Sequence, residues 1–275
     1  MQTHGSELVA RLVTRTSLLL GMLLSSLACS SQEEGRPELR VFAAASLTES
    51  FAALATAFEA EQTGLRVRLH TAGTPQLVLQ LRECARADVF ASADEASMTS
   101  LLNHLQAADA PSTRNGGLTQ QNAAIAQAFA HNTLGLLVAS GNPLEITELS
   151  DLRGQTLRFA MAGPQVPAGR YARELLALAG VQASSRSDEA SVRGVVQKVL
   201  LGELDAGIVY ATDLGQLHSS LELVPLPAAF QPEIRYPIVA LPQAEHAEHA
   251  AAFVDFVLSE PGQAILRAHG FGAAR

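Results

Sequence analysis

Ser46 stands where an apolar, strand-like run ends and a helical pattern begins. Glu49 follows three positions later, which is the capping-box pattern of a helix start. The first turn of a helix carries N–H groups without partners, and the helix dipole adds partial positive charge there. A helix start beside a strand end is therefore a candidate anion site, although ordinary capped helices show the same pattern.

Three further segments predict helix starts of the same kind. Thr74 precedes Pro75, so we predict threonine at the N-cap and proline at the first helical position. Residues 167–169 (Pro-Ala-Gly) and 191–194 (Ser-Val-Arg-Gly) open two more helices with small residues that allow a ligand to approach the backbone. Open α/β sheets bind ligands at the carboxyl ends of their strands. Four such starts around one cleft could hold a dehydrated oxyanion with neutral N–H and O–H donors alone.

The elements that must position these donors alternate between strands and helices. In the first part we predict strands at 39–43, 65–70 and 88–91 and helices at 47–61, 77–84 and 95–105. A polar stretch at 110–117 separates them from a second set. That set has strands at 134–139, 157–161, 206–210 and 221–225, with helices near 149–152, 168–178 and 191–201. An extended segment at 234–241 and helices at 247–258 and 262–269 finish the chain. This order predicts two α/β lobes.

The N-terminus reads as an export signal. Arg11 and Arg15 precede an uncharged apolar run at 17–28, which is too short to span a membrane. The run ends in Ser-Leu-Ala-Cys at 26–29, which resembles a bacterial lipoprotein cleavage box. We predict a signal peptide at 1–28, lipidation of Cys29 and a polar tether at 29–38. Plain secretion, with cleavage at a nearby small residue, is the alternative.

Composition narrows the possible partners. The chain of 275 residues is long enough for a full core, and its formal charge of −8 argues against nucleic acid or another polyanion as partner. A small buried anion is still compatible, because such a site depends on local donors. Cys84 is the one cysteine besides Cys29, so no internal disulfide is expected, and we expect Cys84 to be buried or half-buried. No Walker-type loop is present, so energy from nucleotide hydrolysis would have to come from another protein.

Several motifs together resemble the periplasmic molybdate-binding proteins of ABC importers. They are AAASL at 43–47, AGT at 72–74, ADVFASADE at 87–95, VPAGRYA at 166–172, SVRG at 191–194, GIVY at 207–210, YP at 236–237 and PGQAILRAHGF at 261–271. The resemblance implies an α/β, two-lobed periplasmic-binding-protein fold of type II, in which each lobe is a mixed, mostly parallel sheet flanked by helices. It places lobe 1 at 39–132 and 225–275 and lobe 2 at 133–224, with hinge crossings near 132–134 and 223–227.

The resemblance also implies a set of ligand contacts in the cleft between the lobes. Ser46 would bind the oxyanion through its hydroxyl and backbone N–H, and Thr74 would use its hydroxyl where many relatives have a serine run. Ala168 and Val192 would donate backbone N–H groups, and Tyr210 a phenolic O–H. Neither a cofactor nor a cation site is expected.

We therefore predict a solute-binding protein and not an enzyme. It would capture molybdate, and tungstate as well, as a monomer lipid-anchored on the extracytoplasmic side. It would deliver the anion to a membrane permease served by a cytoplasmic ATPase. A binding protein for another oxyanion or a small carboxylate is the first alternative. A serine hydrolase using Ser46, His70 and Asp88 is a remote one, because no Gly-x-Ser-x-Gly elbow surrounds the serine.

Two other groups of residues receive a weaker interpretation. The segment 245–249 (Glu-His-Ala-Glu-His) invites a metal site, but a solvated helix start that complements the dipole is the favoured interpretation. Arg170 and Arg193 lie beside the implied anion contacts. Helix geometry predicts that they point away from the N–H groups, toward the cleft rim or the permease.

Overall fold

The computed structural model of the protein describes residues 36–109, 125–154, 156–214 and 219–273. Its first part alternates strands and helices. The strands are β1 (Glu38–Ala44), β2 (Arg66–Ala72) and β3 (Val89–Ala91), and the helices are α1 (Thr48–Glu61), α2 (Thr74–Arg82) and α3 (Glu95–Asp109). A short 3₁₀ turn (Ala45–Leu47) joins β1 to α1.

The second part begins with two strands in immediate succession, β4 (Gln127–Asn132) and β5 (Leu134–Ala139). It continues with β6 (Phe159–Ala162), α4 (Pro167–Leu178), β7 (Asp188–Glu189), α5 (Val192–Leu200), β8 (Ala206–Tyr210) and β9 (Leu221–Pro225). The last elements are β10 (Ile234–Ala240), α6 (Ala247–Leu258), α7 (Glu260–Ala268) and β11 (Gly272–Ala273). Further 3₁₀ turns span Leu149–Arg153, Ala211–Leu214 and Ala228–Phe230.

The strands form two mixed sheets. The first has the order β11-β4-β10-β3-β1-β2, and the second has the order β7-β6-β8-β5-β9. β1 is parallel to β2 and β3, and β6 is parallel to β7 and β8. The antiparallel pairs come from strands that follow or precede a passage between the sheets, namely β4, β5, β9 and β10. The predicted α/β fold class is confirmed.

Helices cover both faces of the first sheet because each presents an apolar stripe to it. On one face Phe58 of α1 packs edge-on against Phe253 of α6, with 5.2 Å between ring centroids. On the other face Leu77 of α2 and Leu101 of α3 enclose the fully buried Phe90 of β3. The core is continuous from this sheet to the second, where α4 and α5 pack on β6 and β8.

The chain passes between the two sheets at two points. Thr133 alone separates β4 of the first sheet from β5 of the second, and residues 226–233 lead from β9 back to β10. Both points lie at or beside the predicted hinge crossings. The lobe boundaries, 39–132 with 225–275 and 133–224, stay a prediction.

Several local expectations differ from the structure. Ser46 does not cap α1, whose N-cap position is Leu47 without a side-chain hydrogen bond, so the predicted capping box is wrong. Thr74 is the first residue of α2, and Gly73 takes the N-cap position. Cys84 is exposed in the left-handed region at φ 68°, just after the end of α2, and the expectation of burial is wrong. Strand β4 was not expected.

Some predictions lie outside the described residues. The signal peptide, Cys29 and most of the tether belong to residues 1–35, and the polar stretch at 110–117 lies in the other long segment without a description. Within the part of the chain that is described, no helix combines the length and the apolar character needed to cross a bilayer.

Candidate oxyanion site

All five residues of the predicted contact set line one small cavity. Ser46, Thr74, Ala168, Val192 and Tyr210 come together there from both sheets, although 164 positions separate the first from the last in the numbering. The cavity volume is about 20 Å³. This exceeds the roughly 10–15 Å³ that a single water needs, so the space suits one compact ligand. Each of the five residues is at least nine-tenths buried.

Strand ends bring these residues together. Ser46 follows β1 and Thr74 follows β2 in the first sheet, while Ala168 follows β6, Val192 follows β7 and Tyr210 ends β8 in the second. In each sheet these strands are parallel neighbours, so their carboxyl ends lie on one edge. The ligand position outside the carboxyl ends of parallel strands, usual for open α/β sheets, thus occurs in both sheets at a shared cavity.

The hydroxyl of Tyr210 is the most informative atom of the cavity. The side chain is 1% exposed, and its Oη has no hydrogen-bond partner among the described residues. Buried polar groups in proteins are almost always hydrogen-bonded, so an unpartnered hydroxyl at a cavity indicates a ligand that completes it. Burial raises the pKa of Tyr210 well above its ordinary value of 10, so the hydroxyl keeps its proton and can donate.

The hydroxyls of Ser46 and Thr74 have neighbours but retain donor capacity. Ser46 Oγ lies 3.2 Å from Tyr236 Oη, and Thr74 Oγ1 accepts a long, 3.5 Å hydrogen bond from the backbone N–H of Ala93. A hydroxyl that accepts such a bond still has its own proton to give. Both side chains therefore can donate to an acceptor in the cavity.

Backbone N–H groups supply further donors at the starts of α4 and α5. The first N–H groups of a helix have no partner within it, and Ala168 and Val192 stand at these positions. Gly169 allows α4 to start close to β6, because a Cβ there would lie 2.1 Å from the carbonyl oxygen of Gly163. On α5, the Ser191 hydroxyl accepts from the N–H of Gly194. The Ser191 side chain therefore does not occupy the N–H groups that precede Gly194 in this helix.

The lining residues of the cavity are all neutral, and two arginines stand beside it with their charges already paired. Arg193 of α5 donates to the carbonyl oxygen of Ala45 at 2.8 Å and forms an ion pair with Glu49 of α1. Arg170 of α4 forms an ion pair with the buried Asp94, which precedes α3. Both arginines therefore reach from helices of the second sheet to residues beside the first, instead of only lining the rim.

Gly73 marks another close approach between residues of the two sheets. A Cβ at this position would lie 2.8 Å from the carbonyl oxygen of Ala190, which precedes α5. Sequence reasoning placed no functional weight on Gly73, Ala45 or Asp94. These residues belong to the AGT, AAASL and ADVFASADE motifs, but only the tertiary contacts give them a role.

Asp213 lies behind the cavity and supports Tyr210 from the following 3₁₀ turn. Its carboxylate accepts the backbone N–H of Tyr210 at 2.9 Å. Although the residue as a whole is half-buried, desolvation raises the pKa of its carboxyl from 3.8 to about 7, against the lowering effects of that hydrogen bond and of Arg193. The charge on this group therefore changes near neutral pH.

The other groups considered from the sequence do not assemble. His70 Nε2 contacts Gln80 at 3.0 Å, and Asp88 accepts the backbone N–H groups of Arg40 and Glu245, so neither contacts Ser46. The hydrolase arrangement is therefore not formed. Within the described ranges, no cluster of three His, Cys, Asp or Glu side chains could hold a metal ion. A larger groove of about 570 Å³ lies beside Arg40 and Cys84, remote from the strand ends that form the cavity.

Comparison with known proteins gives the family. A model of the bacterial extracellular solute-binding proteins matches residues 39–272. The chain belongs to this family. This solute-binding protein is 33% identical to the molybdate-binding protein ModA of Mycobacterium tuberculosis, over 93% of its own length and 96% of the relative's. The resemblance predicted from the motifs is therefore confirmed, and so is the prediction that the chain is not an enzyme.

Solved structures confirm the fold. The periplasmic molybdate-binding protein of Azotobacter vinelandii superposes with a TM-score of 0.67 at 22% identity, covering 86% of this chain and 100% of its own. The sulfate-binding protein SubI of Mycobacterium tuberculosis gives a TM-score of 0.72 at 16% identity, covering 86% of each chain. Proteins named for different anions thus share this architecture, so the fold by itself does not choose the ligand.

The raised pKa of Asp213 predicts a pH-dependent stability. Because the folded-state pKa lies above the unfolded one, this group stabilises the protein fully only below about pH 4, and the contribution is lost as the pH rises through about 7. We expect the free energy of unfolding of the parent, relative to Asp213→Asn, to fall from about pH 5 to about pH 8. Urea denaturation of both proteins across this range measures it, and a constant difference would contradict the assignment.

Proposed function

We propose that this protein captures molybdate, and tungstate too, in the cavity between the two sheets. The observation that carries the proposal is the buried hydroxyl of Tyr210, which has no partner in the described structure and lines the cavity with Ser46 and Thr74. Ala168 and Val192 would add backbone N–H groups. The ligand would be held by neutral donors alone, since neither arginine beside the cavity has a free charge.

An oxyanion fits this chemistry better than other small solutes. The proposed contacts are hydrogen-bond donors from three hydroxyls and two helix starts, a set that matches a ligand made only of acceptors. A carboxylate has acceptor oxygens at one end only, so donors facing its carbon chain would stay unpaired at a cost. The relatives named as molybdate-binding proteins support the choice of anion within this class.

Discrimination against sulfate would follow from size. A preformed ring of buried donors fixes the distances at which oxygens are bound, so a smaller tetrahedral anion leaves some donors without an acceptor. Each buried, unpaired donor costs about 1–3 kcal/mol. Molybdate and tungstate have nearly the same size and charge, so neither property ranks the two anions.

Delivery of the anion completes the proposed function. A solute-binding protein has no means to drive transport itself, so we propose transfer to an ABC permease powered by a cytoplasmic ATPase. We further propose an extracytoplasmic, monomeric protein held at the membrane by a lipid on Cys29. The sequence Ser-Leu-Ala-Cys at 26–29 and the polar tether that follows it support the anchor.

Closure of two lobes over the ligand is the proposed mechanism of capture. The chain passes between the sheets only at Thr133 and at 226–233 within the described residues, a pattern typical of a hinge. The contacts of Arg193 with Ala45 and of Arg170 with Asp94 bridge the cleft. We propose that they form on closure, so that they hold the ligand by slowing its release.

The ligand is tested directly by calorimetry. We expect the purified protein to bind molybdate and tungstate at micromolar concentrations or below, and sulfate at least about tenfold more weakly because of its unpaired donors. Isothermal titration with each anion, and competition between molybdate and tungstate, measure this. Absence of molybdate and tungstate binding would contradict the proposed function, and binding of a different oxyanion alone would replace it.

The contact set is tested by removing single hydroxyls. Tyr210→Phe deletes one oxygen and keeps the ring packing, so we expect molybdate affinity to fall about ten- to hundredfold, as for a lost bond to a charged group. Thr74→Val should weaken binding similarly, while Thr74→Ser, which retains the hydroxyl, should stay near the parent. Tyr171→Phe, on the half-buried tyrosine of α4, is the matched control. Parent-like binding by both Tyr210→Phe and Thr74→Val would show that the contact set is wrong.

Closure is tested by scattering and kinetics. We expect the radius of gyration to decrease when molybdate binds, and Arg193→Met, which removes the bridge but keeps the stem, to release molybdate several-fold faster. Arg267→Met is the control, because Arg267 forms an exposed ion pair with Glu260 on α7, remote from the cleft. An unchanged radius with an unchanged release rate would remove the closure proposal and leave the binding proposal intact.

A further inference from the structure

A chain of buried polar groups leads from the passage between the sheets to the cavity. The Nδ2 group of Asn132 lies 3.2 Å from Tyr236 Oη, which lies 3.2 Å from Ser46 Oγ. Asn132 ends β4, Tyr236 belongs to β10, and Ser46 follows β1. All three side chains are buried, with Tyr236 fully inaccessible. A polar chain of this kind in a core needs a complete and consistent set of donors and acceptors.

The orientation of the Asn132 amide sets which group donates and which accepts along this series of hydrogen bonds. The backbone N–H of Thr133, which can only donate, lies 2.9 Å from Asn132 Oδ1, so the amide oxygen must face it. The Nδ2 group therefore faces Tyr236 Oη and Thr212 Oγ1, the latter at 2.9 Å. Because an amide NH₂ can only donate, Tyr236 Oη acts as the acceptor in this contact.

The next hydrogen bond in the series joins Tyr236 to Ser46. Tyr236 has one hydroxyl proton, and of the two side-chain groups that lie 3.2 Å from its Oη, Ser46 Oγ can accept it and Asn132 Nδ2 cannot. Burial raises the pKa of Tyr236 well above its ordinary value of 10, so this proton is present throughout the physiological pH range. Once Ser46 Oγ accepts from Tyr236, the proton of Ser46 must point elsewhere, and Ser46 lines the cavity.

We propose that Tyr236 and Asn132 are positioning residues, which orient the hydroxyl of Ser46 as a hydrogen-bond donor toward the ligand. The inference rests on the proposed function, because it assumes an anion in the cavity. A free serine hydroxyl can turn its lone pairs or its proton to a ligand. With one acceptor site occupied by Tyr236, the arrangement that suits an anion is favoured before the anion arrives, and no reorientation is needed on binding.

The surroundings of Tyr236 support this assignment. The register of β10 against β4 shifts between Tyr236 and Pro237, and the extra residue of this irregularity, Phe129, lies on β4. Pro237 has no N–H to contribute to the ladder at this step. Tyr236 also packs against Tyr210, with 5.7 Å between ring centroids, so it adjoins two of the three proposed hydroxyl donors.

The first test is a double-mutant cycle. Tyr236→Phe removes only the oxygen, and we expect molybdate affinity to fall roughly three- to tenfold because Ser46 is no longer oriented. In the Ser46→Ala background the same change should have no further effect, since the hydroxyl to be oriented is gone. A merely structural role for Tyr236 would give the same loss in both backgrounds and would overturn the proposal. Tyr171→Phe is again the matched control, and thermal denaturation establishes that each variant is folded.

The second test reverses the direction of the hydrogen bonds, starting at Asn132. Asn132→Asp replaces the donor with an acceptor, so the Tyr236 proton would turn to the new carboxylate and Ser46 would donate to Tyr236 instead of the ligand. The added negative charge also repels an anion. The Tyr236→Phe background isolates this repulsion, because the series of hydrogen bonds to Ser46 is interrupted at position 236. We expect a larger loss of molybdate affinity in the parent background than in the Tyr236→Phe background. Equal losses would overturn the proposal.

These outcomes separate the inference from the proposed function. A parent that binds molybdate while Tyr236→Phe binds it equally well overturns the role of Tyr236 and leaves the function standing. A parent that binds none of molybdate, tungstate or sulfate overturns both. The hydrogen bond itself is checked without ligand, because the free energies of unfolding of Tyr236→Phe, Ser46→Ala and the double variant give the coupling between the two hydroxyls. Absence of coupling would also overturn the proposal.

Discussion

Buried hydrogen-bond donors without a protein acceptor are the constraint on which the rest of this structure depends. Leaving a donor unpaired in a core is costly, so a protein keeps such groups only where the surrounding packing holds them in place. Here the starts of α4 and α5, the hydroxyl of Tyr210 and the side chains of Ser46 and Thr74 meet at one cavity. Two clusters of parallel strands, with helices packed against them, keep these donors from collapsing onto one another.

Charge around the cavity is arranged so that none of it faces the space directly. Arg193 is occupied by Glu49 and by the carbonyl of Ala45, and Arg170 by Asp94. A free arginine in the cavity would attract many anions with little regard to size, whereas neutral donors at fixed positions respond mainly to geometry. The same ion pairs join helices of one sheet to segments of the other. Electrostatic neutrality of the cavity and contact across the cleft are therefore produced by the same side chains.

The two passages between the sheets bring residues of different sheets close together. Because Thr133 alone separates β4 from β5, Asn132 lies within hydrogen-bond distance of Thr212 beside the second sheet and of Tyr236 in the first. A residue at the passage is thus connected through Tyr236 to Ser46 at the cavity. Any movement of one sheet relative to the other would change the lengths of these hydrogen bonds. The polar chain would therefore respond to the relative position of the sheets as well as orienting hydroxyl groups.

The sequence by itself determined the alternation of strands and helices, because apolar spacing and small residues at strand ends are local signals. It also determined the membership of the cavity, since the motifs around Ser46, Thr74, Ala168, Val192 and Tyr210 carry the family resemblance. Local pattern misassigned Ser46 and Glu49 as a capping box, because Tyr236 and Arg193, remote in sequence, compete for the same side chains. Strand β4, rich in alanine with terminal Gln and Asn, has weak strand propensity and exists because β10 and β11 flank it. The cross-sheet pairing of both arginines and the direction of the hydrogen bonds through Asn132 were decided only by tertiary structure, because each depends on groups that no local spacing brings together.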